Sequence, residues 1–310
     1  LADKEKLWNA LKIFLKVGVT AILIYFVSQK IDGKTLKELF LNSNPLYILL
    51  ALILYFISAV IASWRSLDFL KSIGLNLNFG FNLRLYLLGM FYNVSLPGGV
   101  GGDGYKVYLL RKKFQLPTKR IILAMFFDRL SGLWAIGLIA VALILFIPKI
   151  DIPATWPLIA LIIGTTIYYF VMRKFFKDYS KVFFSAHIKA IALQSLQVLV
   201  VILMLLSQNF DGKFSPYLFS FLLSTLAANL PVSLGGIGAR EYAMTHASTY
   251  FGMDQNLAVF LTVTFFIIST VAALSGVWFV YRSKEFESRP KQKEANEFEK
   301  DSDDALLNLP

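Results

Sequence analysis

Six stretches of this sequence contain no charged side chain: Pro45–Trp64, Leu130–Pro148, Ala154–Met172, Ala190–Phe210, Phe214–Ala239 and Gln255–Tyr281. Each is close to or above the roughly 18–20 apolar residues that a helix needs to cross a bilayer. Charged residues are 16% of the 310, against roughly 25% in a soluble domain, too few to cover a water-facing surface. No cysteine is present to staple a small fold or to hold a metal. Soluble, disordered and disulfide-stapled folds are excluded, and the expectation is an all-α polytopic membrane protein.

The 31 basic and 20 acidic residues leave a net charge of +11 and sit mostly at the ends of the apolar runs. Residues 283–310 differ. They are rich in both signs of charge, with almost no aliphatic content before Leu306, and read as a solvated tail behind a membrane domain over residues 1–282. The other basic residues are scattered over short loops, which suits lipid headgroups or the cytosol and not nucleic acid. Lys12 and Lys16 interrupt the first apolar run and no small-residue cleavage site follows, so no cleavable signal peptide is expected. Leu1 in place of Met reads as a trimmed or replaced start.

Full spans are expected at about Leu7–Ser28, Pro45–Trp64, Arg120–Pro148, Ala154–Met172, Ala186–Ser207 and Gln255–Tyr281. Two further apolar segments are broken. Phe79–Leu110 is interrupted by Pro97, Gly98, Gly99, Gly101, Gly102 and Gly104, and Phe214–Met253 by Pro231, Gly235, Gly236 and Gly238. Such glycine density opposes a continuous helix, and irregular backbone survives at membrane depth only inside protein or beside a watery cavity. Each segment therefore reads as a re-entrant helical hairpin that turns at its glycines and leaves on the side it entered.

The broken segments resemble each other. VSLPGGVGGDGYK (Val94–Lys106) aligns with VSLGGIGAREYA (Val232–Ala243) once Pro97 is treated as an insertion, with Tyr105 opposite Tyr242. Three full spans separate the hairpins, so an internal repeat, with halves at roughly 45–148 and 154–281, would be inverted. In secondary transporters that plan brings paired broken helices together at a substrate site near the midplane. With the N-terminus in the cytoplasm, fifteen basic residues, Arg65 among them, fall in inner loops. Five fall outside: Lys30, Lys34, Lys37, Lys149 and Lys213. The positive-inside rule then puts both termini in the cytoplasm.

Charge inside the hydrocarbon layer is costly and marks a site or a structural pair. Three clusters qualify: Asp103 with Lys106, Asp128 with Arg129, and Arg240 with Glu241. Helices that start after the turns at Gly98, Gly99, Gly101 and Gly102, and at Gly235, Gly236 and Gly238, offer free N–H groups that suit a phosphate. Arg129 and Arg240 could add forked contacts, with Asp128 and Glu241 holding them ready. The plainer alternative is that these acids and bases only join helices. His187 and His246 read as structural, neither a metal site nor a nucleotide loop is recognisable, and no cofactor is expected.

The motifs SLPGGVGGDGYKVYLL, FFDRLSGL and LPVSLGGIGAREY, in this order, resemble the lysylphosphatidylglycerol synthase transmembrane (flippase-like) family over about Leu7–Arg282. The resemblance implies a cell inner-membrane protein that moves an anionic or aminoacylated phospholipid between leaflets, a transporter and not an enzyme. In the family's best-known member, the multiple peptide resistance factor, a fused synthase domain makes the lipid. Here 28 mostly polar residues follow the last span, so a separate lipid-synthesising enzyme is the implied partner. Lys106 stands where relatives often carry Arg. Competing readings are a polyprenyl-phosphate or glycolipid carrier, a membrane enzyme using Asp128 or Glu241 as general base on a lipid phosphate, and a partner subunit without activity of its own.

Overall fold

A computed structural model of the chain describes residues 18, 21–22, 24–30, 32–95, 101–147, 153, 155–229, 236 and 238–281. These residues form twelve helices and no strand. Five helices are long and apolar enough to cross a membrane: α2 (Pro45–Lys71), α5 (Thr118–Ile144), α6 (Thr155–Phe175), α8 (Phe183–Leu206) and α11 (Gln255–Leu274), which the short α12 (Val277–Val280) extends. The chain is an all-α, multi-pass membrane protein. Most of the expected first span lies outside the described residues; within it, residues 18, 21–22 and 24–28 are helical.

Local chemistry sets the helix starts. Asn44 caps α2, accepting from the Leu46 N–H at 3.0 Å, and Pro45 follows at a position where a missing N–H costs nothing. The short α1 (Gly33–Asn42) begins on Asp32, whose carboxylate accepts from the Thr35 hydroxyl and the Lys34 N–H. Those bonds hold the Asp32 carboxyl below its ordinary range, the Thr35 bond acting most strongly.

Both broken segments are antiparallel hairpins. The first pairs α3 (Phe79–Ser95) with α4 (Gly101–Phe114), and the second pairs α9 (Phe214–Asn229) with α10 (Ala239–Phe251). Their helices have 17, 14, 16 and 13 residues, short of the roughly 20 that a full crossing takes. In the first hairpin the Gly102 N–H donates to Asn93 Oδ1 at 2.8 Å, Tyr92 packs on Tyr105, and the Lys106 stem lies across Gly89. A Cβ on Gly102 would collide with the Gly89 carbonyl, so only glycine allows this approach. In the second hairpin Gly236 (φ 82°) and Gly238 (φ 81°) hold left-handed conformations that lead into α10. The remaining turn residues, Pro97, Gly98, Gly99, Pro231 and Gly235, lie outside the described residues.

The helices pack in matching sets. At the centre α2 and α8 run antiparallel: the Asn44 N–H donates to the Ser207 carbonyl at one end (2.9 Å), and Asp68 binds Lys189 and Ser185 at the other. Helix α5 leans on α8 as α11 leans on α2, and α3 leans on α11 as α9 leans on α5. Exchanging α2, α3–α4 and α5 for α8, α9–α10 and α11 leaves this set of contacts unchanged. Helix α6, between the two sets, is almost wholly exposed and touches α5 through the Trp134 Nε1–H bond to Thr165 (2.8 Å). Among the described residues three apolar clusters fill the interior, one around Phe69, Leu88 and Leu109 beside the first hairpin, one around Phe221, Phe260 and Leu261 beside the second, and a smaller one where Ile136 and Ala140 of α5 meet Phe219 and Leu222 of α9.

One expectation is corrected. Arg65 is not a loop residue; α2 continues past Trp64 to Lys71, and Arg65 is buried on its inner face. The uncharged window ended at Trp64 because the next residue is charged, whereas the helix continues because that charge finds a partner.

Candidate functional site

Both hairpins contribute to one cavity of about 540 Å³. The first supplies Tyr86, Asn93, Asp103 and Lys106, the second Thr225, Asn229, Gly236 and Arg240, while α2, α5, α8 and α11 close the walls. Six of the residues expected at a site line it: Asp103, Lys106, Asp128, Arg129, Gly236 and Arg240. Among the described residues, Gly101 and Gly102 do not. Gly238 and Glu241 instead line a neighbouring apolar pocket of about 510 Å³, with Ile24, Val27, Leu36, Val259 and Val263. Phe266 is a wall of both spaces. Gly98, Gly99 and Gly235 fall outside the described residues.

The ion pairs differ from those the sequence suggested. Asp103 is held by two cations: Arg129 reaches Oδ2 with Nε (2.6 Å) and Nη2 (2.5 Å), and Lys106 Nζ lies 2.8 Å from Oδ1. Lys106 is buried, with its ammonium over the Tyr86 ring. Asp128 does not hold Arg129; its Oδ1 accepts from Arg65 Nε at 2.8 Å, on side chains only 8% and 10% exposed. Adjacent residues on a helix point about 100° apart, so Asp128 and Arg129 must serve different partners. Gly132, one turn beyond Asp128, leaves room for the Arg65 guanidinium; a Cβ there would sit 3.0 Å from Nη1.

Glu241 does not hold Arg240. It turns back to cap its own helix, accepting from the Gly238 N–H at 2.7 Å. Among the described residues the buried Arg240 Nε has no hydrogen-bond partner, and the guanidinium stands 5.3 Å from the centre of the Phe265 ring. The expectation that the turns offer free N–H groups is also revised, since those of Gly102 and Gly238 are taken by Asn93 and Glu241. The unpartnered buried donors that line the cavity belong to arginines. Arg65 Nη1 and Arg240 Nε are buried without a hydrogen-bond partner among the described residues.

Four cations (Arg65, Lys106, Arg129, Arg240) and two carboxylates (Asp103, Asp128) thus line one cavity, a net excess of two positive charges. The sequence reading missed Arg65, Tyr86, Gln194 and Gln197. The two glutamines carried a signal, because polar residues three apart on an apolar helix share one face. His187 is buried among Phe183, Trp134 and Tyr168, and His246 packs on Tyr242. Among the described residues no group of His, Asp or Glu could hold a metal.

Two known membrane proteins match part of this chain. A UPF0104 membrane protein of Methanocaldococcus jannaschii is 33% identical over 100 residues, which is 32% of this chain and 28% of that protein. Another, from Pyrococcus horikoshii, is 33% identical over 101 residues, or 32% of this chain and 30% of that one. The matched stretch therefore spans less than a third of either relative. The family model described as the lysylphosphatidylglycerol synthase TM region matches far more, residues 13–276. With the hairpins and five of the spans inside that match, the chain belongs to the lysylphosphatidylglycerol synthase transmembrane family.

Proposed function

We propose that the chain is a lipid transporter that passes a phospholipid headgroup through the shared cavity while the acyl chains stay in the apolar phase. The observation that carries this reading is the cavity's charge: four cations against two carboxylates, contributed from both hairpins and the spans around them. A buried positive space of this kind is costly, and a lipid phosphate would offset the cost with charge-assisted hydrogen bonds. The adjoining apolar pocket, which shares Phe266 with the cavity, suits an acyl chain. The matched packing of α2–α5 against α8–α11 supports an inverted repeat with halves at roughly 45–148 and 154–281, a plan that fits alternating access. We place both termini in the cytoplasm and the chain in the cell inner membrane.

A catalytic role has less support. A general base needs a carboxylate able to reach substrate, yet Asp128 is bonded to Arg65, Asp103 is held by two cations, and Glu241 caps α10 outside the cavity. The full chain in vesicles with a fluorescent phospholipid in the inner leaflet decides the matter. Transport brings the unaltered lipid to the outer leaflet, where a membrane-impermeant quencher reaches it. Mass spectrometry that finds the lipid chemically changed would establish an enzyme instead.

A further inference from the structure

We infer that the headgroup taken by this cavity is an anionic phosphate flanked by uncharged hydroxyl groups, and that a headgroup ending in an amine is excluded. The inference rests on the lipid-transport reading and narrows it. The cavity holds no carboxylate for an ammonium among the described residues: Asp103 already binds Lys106 and Arg129, and Asp128 binds Arg65. Glu241 faces the apolar pocket and accepts from Gly238. An incoming amine would instead meet Arg240 and the two cations that already share Asp103, an unfavourable juxtaposition that rejects the wrong partner.

The groups left without partners describe what fits. Arg65 Nη1 and Arg240 Nε are buried donors, complementary to phosphate oxygens. Gln194 Oε1 is a buried acceptor without a partner and lines the same cavity. A neutral acceptor beside guanidinium donors matches a hydroxyl next to a phosphate. Gln197 and Ser269 add uncharged polar groups to the wall. The same chemistry occurs in a glycerol-type phospholipid headgroup and in a sugar carried on a polyprenyl phosphate.

The test uses the full chain in phosphatidylcholine vesicles, with separate arms for fluorescent phosphatidylglycerol, its lysyl ester, phosphatidic acid and a glucosyl polyprenyl phosphate. Phosphatidylglycerol or the glycosyl phosphate should cross at least about tenfold faster than the lysyl ester, and the faster of the two identifies the source. The variant Gln194→Leu should slow the favoured hydroxyl-bearing lipid by about fivefold, the loss of one neutral hydrogen bond. It should leave phosphatidic acid, which has no headgroup hydroxyl, unchanged. A lysyl ester that crosses as fast as both others overturns the charge inference alone, and no movement in any arm overturns transport as well.

Discussion

At the scale of single residues, the buried Arg65 and the half-buried Arg240 should respond to mutation in opposite ways. Arg65 and Asp128 form a buried pair, so Asp128→Ala strands a guanidinium and should cost about 3–5 kcal/mol of stability. Replacing both at once, Arg65→Met with Asp128→Leu, should recover most of that loss in thermal unfolding of the detergent-purified protein. A double variant as unstable as the single one would mean that the pair itself is not the source of the cost. Arg240 strands nothing when removed, because Glu241 is bonded elsewhere. The sequence identified both arginine-bearing motifs at the site but not these pairings. Asp128 and its partner are 63 positions apart, and only the packing of α2 against α5 joins them. Glu241 was legible in principle, since an acid three residues into a helix that follows a glycine turn has the spacing of a cap.

At the scale of elements, the apolar windows located the five described spans, and the glycine clusters located both hairpins, because length and backbone freedom are written locally. The close approach within the first hairpin is not local: Gly102 meets Gly89, in a helix where nothing in the sequence sets Gly89 apart. Gly102→Ala would push a methyl group into a backbone carbonyl, which no rotamer change can relieve. It should destabilise the protein by about 1–3 kcal/mol or more, whereas Gly104→Ala, with nothing near its Cβ, should be neutral or slightly stabilising through helix propensity. Melting temperatures of the two variants side by side provide the check; equal values would mean that the hairpin does not depend on this contact.

At the scale of the molecule, the matched contacts of the two helix sets follow from the short repeat at the glycine turns, which the sequence displayed. The uneven charge does not follow from it: by the alignment of Tyr105 with Tyr242, Asp103 stands opposite Arg240 and Asp128 opposite Phe265. One half carries the paired acids and the other a lone arginine over an aromatic ring. Re-entrant hairpins make a topological prediction, convenient to test because the chain has no native cysteine. Asn76→Cys and Arg111→Cys, exposed before the first hairpin and in its last turn, should both label from the cytoplasm, and Lys213→Cys only from outside. Opposite labelling of the first two would make that hairpin a full crossing. The most direct measurement is lipid translocation by Arg240→Ala in vesicles, taken together with its melting temperature. Loss of one or two charge-assisted hydrogen bonds should slow translocation by roughly 10- to 100-fold, and Arg240→Lys should be impaired less because it keeps the charge. The melting temperature should stay near that of the parent chain. Normal translocation per folded molecule together with a large fall in melting temperature would make Arg240 a structural clamp and move the site elsewhere.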